Sequence, residues 1–361
     1  MVNTPEMKRS LIVTGLMSGT SLDGTDLASC EFTQDDKGWN FRLLAAETIP
    51  YPQNWEGVLR NLHLAETTEF LYQHHHLGRY FGALIHQFIL SSGIQPDYIG
   101  SHGHTIFHQP QRGFTAQIGD GAAIAALSGI DTICDFRSKD IILGGQGAPL
   151  VPIGDQLLFG NYAACLNLGG IANISFEQRG KRMAYDICPA NMPLNLFASK
   201  LGSAYDEDGR FAQSGTVLPE LLEQLNNLGF YRIEGPRSLG KEWFEEQFLP
   251  LLNQYDSSTE NILRTITEHI AIQHAKPFEP LPNDAKILVT GGGAFNRFLI
   301  ERITKVSGKT LVIPDQDLVK FKEAIVFAFL AALFVKNQIN VLSSATGSVR
   351  DHIGGALYKA G

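Results

Sequence analysis

Residues 11–32 read LIVTGLMSGTSLDGTDLASCEF. An apolar, β-branched stretch at 11–14 breaks into a loop rich in glycine and hydroxyls, and a second apolar stretch returns at 25–32. The pattern predicts two strands joined by a turn. A third strand is expected at 41–49, helices at 53–63 and 68–90, and a strand at 98–101 that runs into His102-Gly103-His104. A helix at 121–127 and a strand at 131–136 complete the first half. The second half repeats that order: strands at 164–168, 172–176 and 182–187, helices at 191–200, 218–225, 242–254 and 259–275, then a strand at 286–290, a helix at 296–306, a strand at 310–313 and a helix at 318–335. The repetition lies in the order of elements, not in the residues. Each half reads βββ, then helices, then β-α-β. This is the α/β class, with two duplicated βββαβαβ lobes whose mixed sheets are antiparallel at one edge and parallel beyond. Two such lobes predict a central cleft for a ligand. The expected divisions are 1–145 for the first lobe, 146–336 for the second and 337–361 for a tail packed back on the first, with the Gly-rich LGGQGAP at 143–149 as hinge.

Composition narrows the function. Of 361 residues, 44% are hydrophobic and 18% charged, enough apolar material for a full core and too much for a disordered chain. The net charge of -8, with no basic stripe, argues against nucleic acid as a partner. Cys30, Cys134, Cys165 and Cys188 lie far apart without a CxxC, so no disulfide scaffold is expected, and a reducing cytoplasm is. The start, MVNTPEMKRSLIVTG, lacks the apolar region of a signal peptide. No apolar run approaches the ~20 residues that span a bilayer, so no membrane partner is expected either.

The 36 glycines cluster in loops. In the first turn Gly15, Gly19 and Gly24 permit positive φ, while Ser18, Thr20 and Ser21 add hydroxyl donors. Such a loop is an anion-binding concavity, and Asp23 and Asp26 beside it suit a hydrated Mg²⁺. The same residues also make an ordinary Gly/Ser hairpin with Asp as turn former. Asn167–Asn173, NLGGIAN, is a second such turn, carrying Gly169, Gly170 and Asn173. Gly291, Gly292 and Gly293 precede a helix beginning near Asn296, whose N-terminal dipole favours phosphate. Three such loops together point to a nucleotide. The SGKT at 307–310 is no Walker A end, because the first glycine of that motif would fall at Ile303 and a strand follows. A dinucleotide fingerprint GxGxxG is also missing.

No zinc pattern accompanies the histidines, so no metal site of their own is expected. His74, His75 and His76 read as surface helix residues. His102 and His104 follow a strand end, the ligand side of an open sheet, where they can hydrogen-bond a ligand. Asp186 in AYDICPAN either points into the ligand cleft or caps the next helix. Glu323, in FKEAIVFA, either begins a helix and complements its dipole or is a functional carboxylate. Arg137 either grips a substrate carboxylate bidentately or pairs with Asp135 or Asp140.

GLMSGTSLDGTD, SHGHT, DFRSKDIILGGQGAPLVP, NLGGIANIS, YDEDGRFAQSG, VTGGGAFN and KEAIVFA occur in that order, from Gly15 to about Ala328. Together they resemble the anhydro-N-acetylmuramic acid kinase family, of the fold group of actin, hexokinase and the Hsp70 ATPase domain. The resemblance implies that 1,6-anhydro-N-acetylmuramate, ATP and water give N-acetylmuramate 6-phosphate and ADP in murein recycling. It implies ATP and Mg²⁺ as cofactors, a cytoplasmic setting and a possible homodimer. The ATP loop matches at Gly19, Thr20, Ser21, Leu22, Asp23, Gly24, Thr25 and Asp26, with Gly169, Gly170, Asn173, Gly291, Gly292, Gly293 and Asn296 as further nucleotide contacts. The base is implied at Asp186, in Asp186-Ile187-Cys188-Pro189-Ala190-Asn191, where the family carries D-T-G-P-G-N. Asp, Pro and Asn match; the Thr and both Gly positions do not. Glu323 is a second catalytic candidate, and His102, His104, Arg137 and Asn191 are substrate candidates. The alternatives are a same-fold kinase of a different sugar or acid, and a catalytically inactive ATP-gated muropeptide sensor.

Overall fold

The computed structural model describes residues 10–19, 22, 24–233 and 237–361. Its strands are β1 (Ser10–Ser18), β2 (Thr25–Asp35), β3 (Gly38–Ile49), β4 (Tyr98–Gln109), β5 (Phe114–Ile118), β6 (Thr132–Cys134), β7 (Ala164–Leu168), β8 (Ile171–Gln178), β9 (Lys181–Pro189), β10 (Lys286–Thr290), β11 (Thr310–Val312) and β12 (Ala356–Tyr358). One sheet runs β3-β2-β1-β4-β6-β12, with β5 paired to β4; the other runs β9-β8-β7-β10-β11. In each, the first three strands are antiparallel neighbours. The next two pair in parallel beyond the first strand. Parallel neighbours need crossovers, which helices such as Thr67–Ser92, Gly121–Ser128, Thr259–Phe278 and Arg297–Ser307 supply. Both sheets thus carry the same βββαβαβ winding, and the α/β duplication is real at the level of topology.

The chain divides into two compact units. One holds the described residues up to Leu158 together with Phe321–Gly361, the other Phe159–Lys320. The divisions fall at 158/159 and 320/321, where the sequence reading put them at 145/146 and 336/337. Two contacts explain the difference: Asp155 on the helix Pro152–Leu158 is ion-paired to Lys322 at 2.6 Å, and Gly154 packs on Val326. LGGQGAP is not an open joint, since Gly145 packs on the Asp140 carboxylate and Gly147 donates its N–H to it at 2.7 Å. In the tail, β12 pairs antiparallel with β6.

Each unit has its own core. In the first, Leu16, Leu27, Phe81, Ile99 and Ile124 pack together. In the second, Leu166, Ile174, Ile187, Ile266 and Val289 do so. Sequence reading missed β5 and shortened β4, because the mixture of His, Thr and Gln with apolar residues in HTIFHQ at 104–109 looks like loop. Gly113, at φ 77°, turns the chain between them. The helix expected at 242–254 is broken into Lys241–Trp243, a π-turn Phe244–Phe248 and Leu249–Asn253. Pro250 has no N–H for a continuous ladder.

Gly15 lies inside β1 rather than in the turn, and its cross-strand neighbour on β4 is Gly100. A Cβ on Gly15 would overlap the Ala324 carbonyl, and one on Gly100 the Phe327 carbonyl. Both belong to the helix Gln316–Val335, whose residues from Ala324 to Leu333 are buried. This glycine pair lets helix backbone rest on sheet backbone. Gly15→Ala and Gly100→Ala are each expected to cost about 3 kcal/mol, the upper end for overpacking. Urea unfolding of the two variants measures it.

Candidate active site

In the first unit the turn after β1 closes by the Leu22 N–H donating to the Gly19 carbonyl at 3.3 Å, with Leu22 at φ 61°. Thr20, Ser21 and Asp23 lie outside the described residues. A Cβ on Gly24 would come within 2.6 Å of the Ile49 carbonyl, so that glycine serves the approach of β3. Thr25 is buried, and its hydroxyl has no partner among the described residues. Asp26 accepts from the Thr48 hydroxyl at 2.6 Å.

The histidines are inside β4, not beyond it. His104 Nδ1 is 2.7 Å from Ser18 Oγ, which also bonds Tyr51 Oη at 2.6 Å. Burial pushes its pKa down to about 4. His102 is buried against the Phe327 ring. Its Nδ1 is 2.9 Å from the Gly103 carbonyl, so Nδ1 carries the proton and Nε2 is an acceptor. Arg137 fills that acceptor, with Nε at 3.1 Å and Nη2 at 2.9 Å, and donates Nη1 to the Gly147 carbonyl at 2.6 Å. Burial and the Arg137 charge hold His102 neutral, well below the ordinary histidine range. Arg137 is therefore not paired with Asp135, which takes Ser138, nor bonded to Asp140. Asp140 acts one step behind it: it is fully buried, accepts from Gly147 N and from Thr346 Oγ1 at 2.7 Å each, and so fixes the carbonyl that holds Arg137.

Glu323 is two turns into its helix, and Asp317 is the acid of the first turn. The helix-dipole reading falls away. Solvent reaches Glu323, yet protein atoms crowd it, and desolvation raises its pKa. Arg137 and Lys322 pull it down, and the nearby Asp26 carboxylate pushes it up again. Desolvation in turn lowers Arg137 to about 10, against the attraction of Glu323 and Asp140. Asp26, Glu323 and Arg137 thus form one electrostatic cluster.

In the second unit Asp186 is inside β9, opposite Asn173, with a register shift between Ala172 and Asn173. Such bulges re-aim a side chain. Ala190, not Asp186, is at the start of the helix Asn191–Ser199, which sets the N-cap reading aside. Asp186 Oδ2 accepts from Leu239 N at 2.8 Å and Ser238 Oγ at 3.2 Å, while Oδ1 carries no hydrogen bond among the described residues. Burial raises its pKa against those two donors and the Arg237 charge. Ile187, Cys188 and Ala190, the departures from the family motif, are buried in the core of this unit. Burial pushes the Cys188 thiol up, so it is no nucleophile.

Around Asp186 the loops interlock. The N–H groups of Ala190 and Met192 donate to the Gly170 carbonyl at 2.8 and 3.1 Å, and that of Asn191 to Gly169 at 3.0 Å. Asn191 Nδ2 donates to the Leu168 carbonyl at 2.8 Å. A Cβ on Gly291 would meet Asn167 Oδ1 at 2.5 Å, and one on Gly293 would meet Leu168 Cβ at 2.8 Å. Those two glycines serve loop packing. Gly170 and Gly292 keep open faces, with nothing nearer than 3.8 and 3.6 Å. Asn296 caps the helix Arg297–Ser307 through Leu299 N at 3.0 Å. Gly308 ends the same helix, and Lys309 Nζ binds the carbonyls of Leu281 and Pro282, which explains why SGKT is no phosphate loop.

A family model described as anhydro-N-acetylmuramic acid kinase matches residues 11–360. The chain belongs to the anhydro-N-acetylmuramic acid kinase family. The kinase of that name from Vibrio cholerae is 35% identical over 364 residues, covering 95% of this chain and 97% of the relative. The one from Nitrosomonas europaea is 33% identical, covering 96% and 99%. Among solved structures, the activator of 2-hydroxyisocaproyl-CoA dehydratase from Clostridium difficile with bound ADPNP is similar at a TM-score of 0.42 and 13% identity, covering 90% of this chain and 97% of that one. In this member of the anhydro-N-acetylmuramic acid kinase family, sequence reading missed Arg237, Ser238 and Leu239. They lie more than fifty residues beyond Asp186, and no motif marks them.

The buried histidines make stability depend on pH. His104 is lowered to about 4, His269 to about 3 and His274 to about 4, each first by burial. In the unfolded chain each takes a proton below about 6.5, and in the fold only below its lowered value. The unfolded state therefore binds more protons between pH 6.5 and 4, and stability falls as pH drops through that window. Urea unfolding across it should show the decline, and His104→Gln should make it shallower.

Proposed function

We propose that this chain opens the 1,6-anhydro ring of 1,6-anhydro-N-acetylmuramate and phosphorylates the freed O6 with ATP, in murein recycling. Full-length family membership supports the reaction, and the half-free carboxylate of Asp186 supports the assignment of the base. Asp186 Oδ1 takes a proton from water. The water oxygen bonds to C1 as the C1–O6 bridge breaks on the opposite face, and O6 leaves as an alkoxide. That alkoxide attacks the γ-phosphorus, the bond to the β,γ-bridging oxygen breaks, and ADP departs. The proton on Asp186 returns to solvent. An inverting glycosidase needs a second acid for its leaving oxygen; phosphoryl transfer replaces that acid here. A raised pKa suits a general base, because basicity grows with it.

The hairpin residues Gly19–Asp26 carry the ATP phosphates; in the second unit Gly170 and Gly292 are the glycines with a face open to a ligand. Gly24, Gly291, Gly293 and Asn296 act behind them by holding loops. Mg²⁺ would be held by Asp26 with Glu323, two carboxylates near enough to repel, an oxygen set that suits a hard cation. It would supply charge neutralisation at the phosphates. Glu323 is the second catalytic group, and Arg137, steadied by His102, takes the lactyl carboxylate through its remaining N–H groups. His104 braces Ser18 before the phosphate turn. Asn191 ties the base strand to Leu168. A cytoplasmic setting fits four free cysteines, and the homodimer stays part of this reading.

Sugar-dependent ADP release should be present in the wild type and fall by about 10²–10⁴ in Asp186→Asn, with ATP binding intact. In ¹⁸O-water the label should appear at C1 of the product. Label at the phosphate, or full rate in Asp186→Asn, would overturn the assignment.

A further inference from the structure

Asp186 is held from both ends by one short segment. Its backbone N–H donates to the Arg237 carbonyl at 3.0 Å, and its backbone carbonyl accepts from Arg237 Nε at 3.2 Å. The next two residues take the side chain, Ser238 Oγ and Leu239 N both on Oδ2. Arg237 is itself fixed. Its Nη1 donates to the Ile233 carbonyl at 2.9 Å, and its guanidinium lies over the Phe230 ring at 4.7 Å and the Tyr185 ring at 5.5 Å. We infer that residues 237–239 are a clamp that positions the base, with Arg237 as its anchor and Ser238 and Leu239 as the donors that lock Oδ2 and leave Oδ1 to the water. The inference rests on Asp186 being the base.

The physical reason is orientation. A carboxylate with both oxygens free rotates about its terminal bond and shares its lone pairs with solvent. Two donors on Oδ2 stop the rotation and commit one oxygen to the proton transfer, and misplacing a reacting group by about 1 Å is enough to cost roughly 10²-fold. The same donors, with the Arg237 charge, stabilise the anion. Cys188 and Tyr231 also neighbour this cluster and are kept neutral by burial, and Lys276 faces Arg237, so Arg237 is the charge that acts on Asp186 directly.

Steady-state kinetics of the full-length enzyme test this with Ser238→Ala, Arg237→Ala and Arg237→Lys. Ser238 is exposed, so its variant folds without a packing defect. Losing one donor to a charged group is expected to lower kcat roughly three- to tenfold in Ser238→Ala, and Arg237→Ala at least as much. KM for sugar and for ATP should stay within about twofold of wild type, and the acid limb of the kcat profile should move to higher pH. Arg237→Lys keeps the charge but not the planar fork, so it should restore the acid limb while kcat stays low. In the Asp186→Asn background, Ser238→Ala should add no further loss. A large loss in Asp186→Asn with kcat and acid limb unmoved in both Ser238→Ala and Arg237→Ala would sink the clamp alone. Full rate in Asp186→Asn would sink the base reading, and the clamp with it.

Discussion

Backbone touches backbone where the helix Gln316–Val335 crosses Gly15 and Gly100. Side chains normally hold a helix about 10 Å from a sheet, and two glycines paired across β1 and β4 remove that spacer. Dispersion contacts between close-packed main chains reward the approach, and the apolar run from Ala324 to Leu333 fills the remaining space. The consequence reaches the chemistry. Glu323 directly precedes Ala324, so the depth of the helix sets where its carboxylate lies relative to Arg137 and Asp26. A packing constraint in the core thereby becomes an electrostatic constraint at the site.

The first unit solves a second problem, how to keep a half-buried arginine useful. A guanidinium bonded to a carboxylate has little left for a ligand. Arg137 is instead held by neutral acceptors, the His102 ring and the Gly147 carbonyl. The partnership is mutual, because the guanidinium charge adds to burial in holding the histidine neutral and so keeps it an acceptor. Asp140 contributes its negative charge from behind, through Gly147, without occupying the donors. Three layers of residues thus present one cation that retains N–H groups for recognition.

Much of this was legible in the residues. Alternation and glycine turns give both three-stranded meanders, and the spacing of NLGGIAN and VTGGGAFN places their loops at strand ends. What the loops do was legible only in part. Gly15, Gly24, Gly291 and Gly293 carry the same letter as Gly170 and Gly292, yet four of them serve close packing and two leave their faces open. A glycine in a sequence shows that a side chain is unwelcome, not whether protein or ligand fills the space. Glu323 looked like a helix start because Lys and Glu precede an apolar run, but the helix begins at Gln316. The polar face of the β4–β5 hairpin concealed β5 and the second half of β4 behind histidines and glutamines.

Local rules act over a few residues, so the chain by itself determined the winding of both sheets, the positions of their turns and the family motifs those turns carry. Which donors meet Asp186 depended on bringing residues 237–239 to β9 across more than fifty positions. Which atoms hold Arg137 depended on His102 and Gly147 arriving from different elements. Protonation followed from the same assembly, since His102 and Asp186 depart from their ordinary values through burial and neighbouring charge. Hydrogen-bond partners and desolvation are properties of three-dimensional proximity, and no pattern along the chain encodes them.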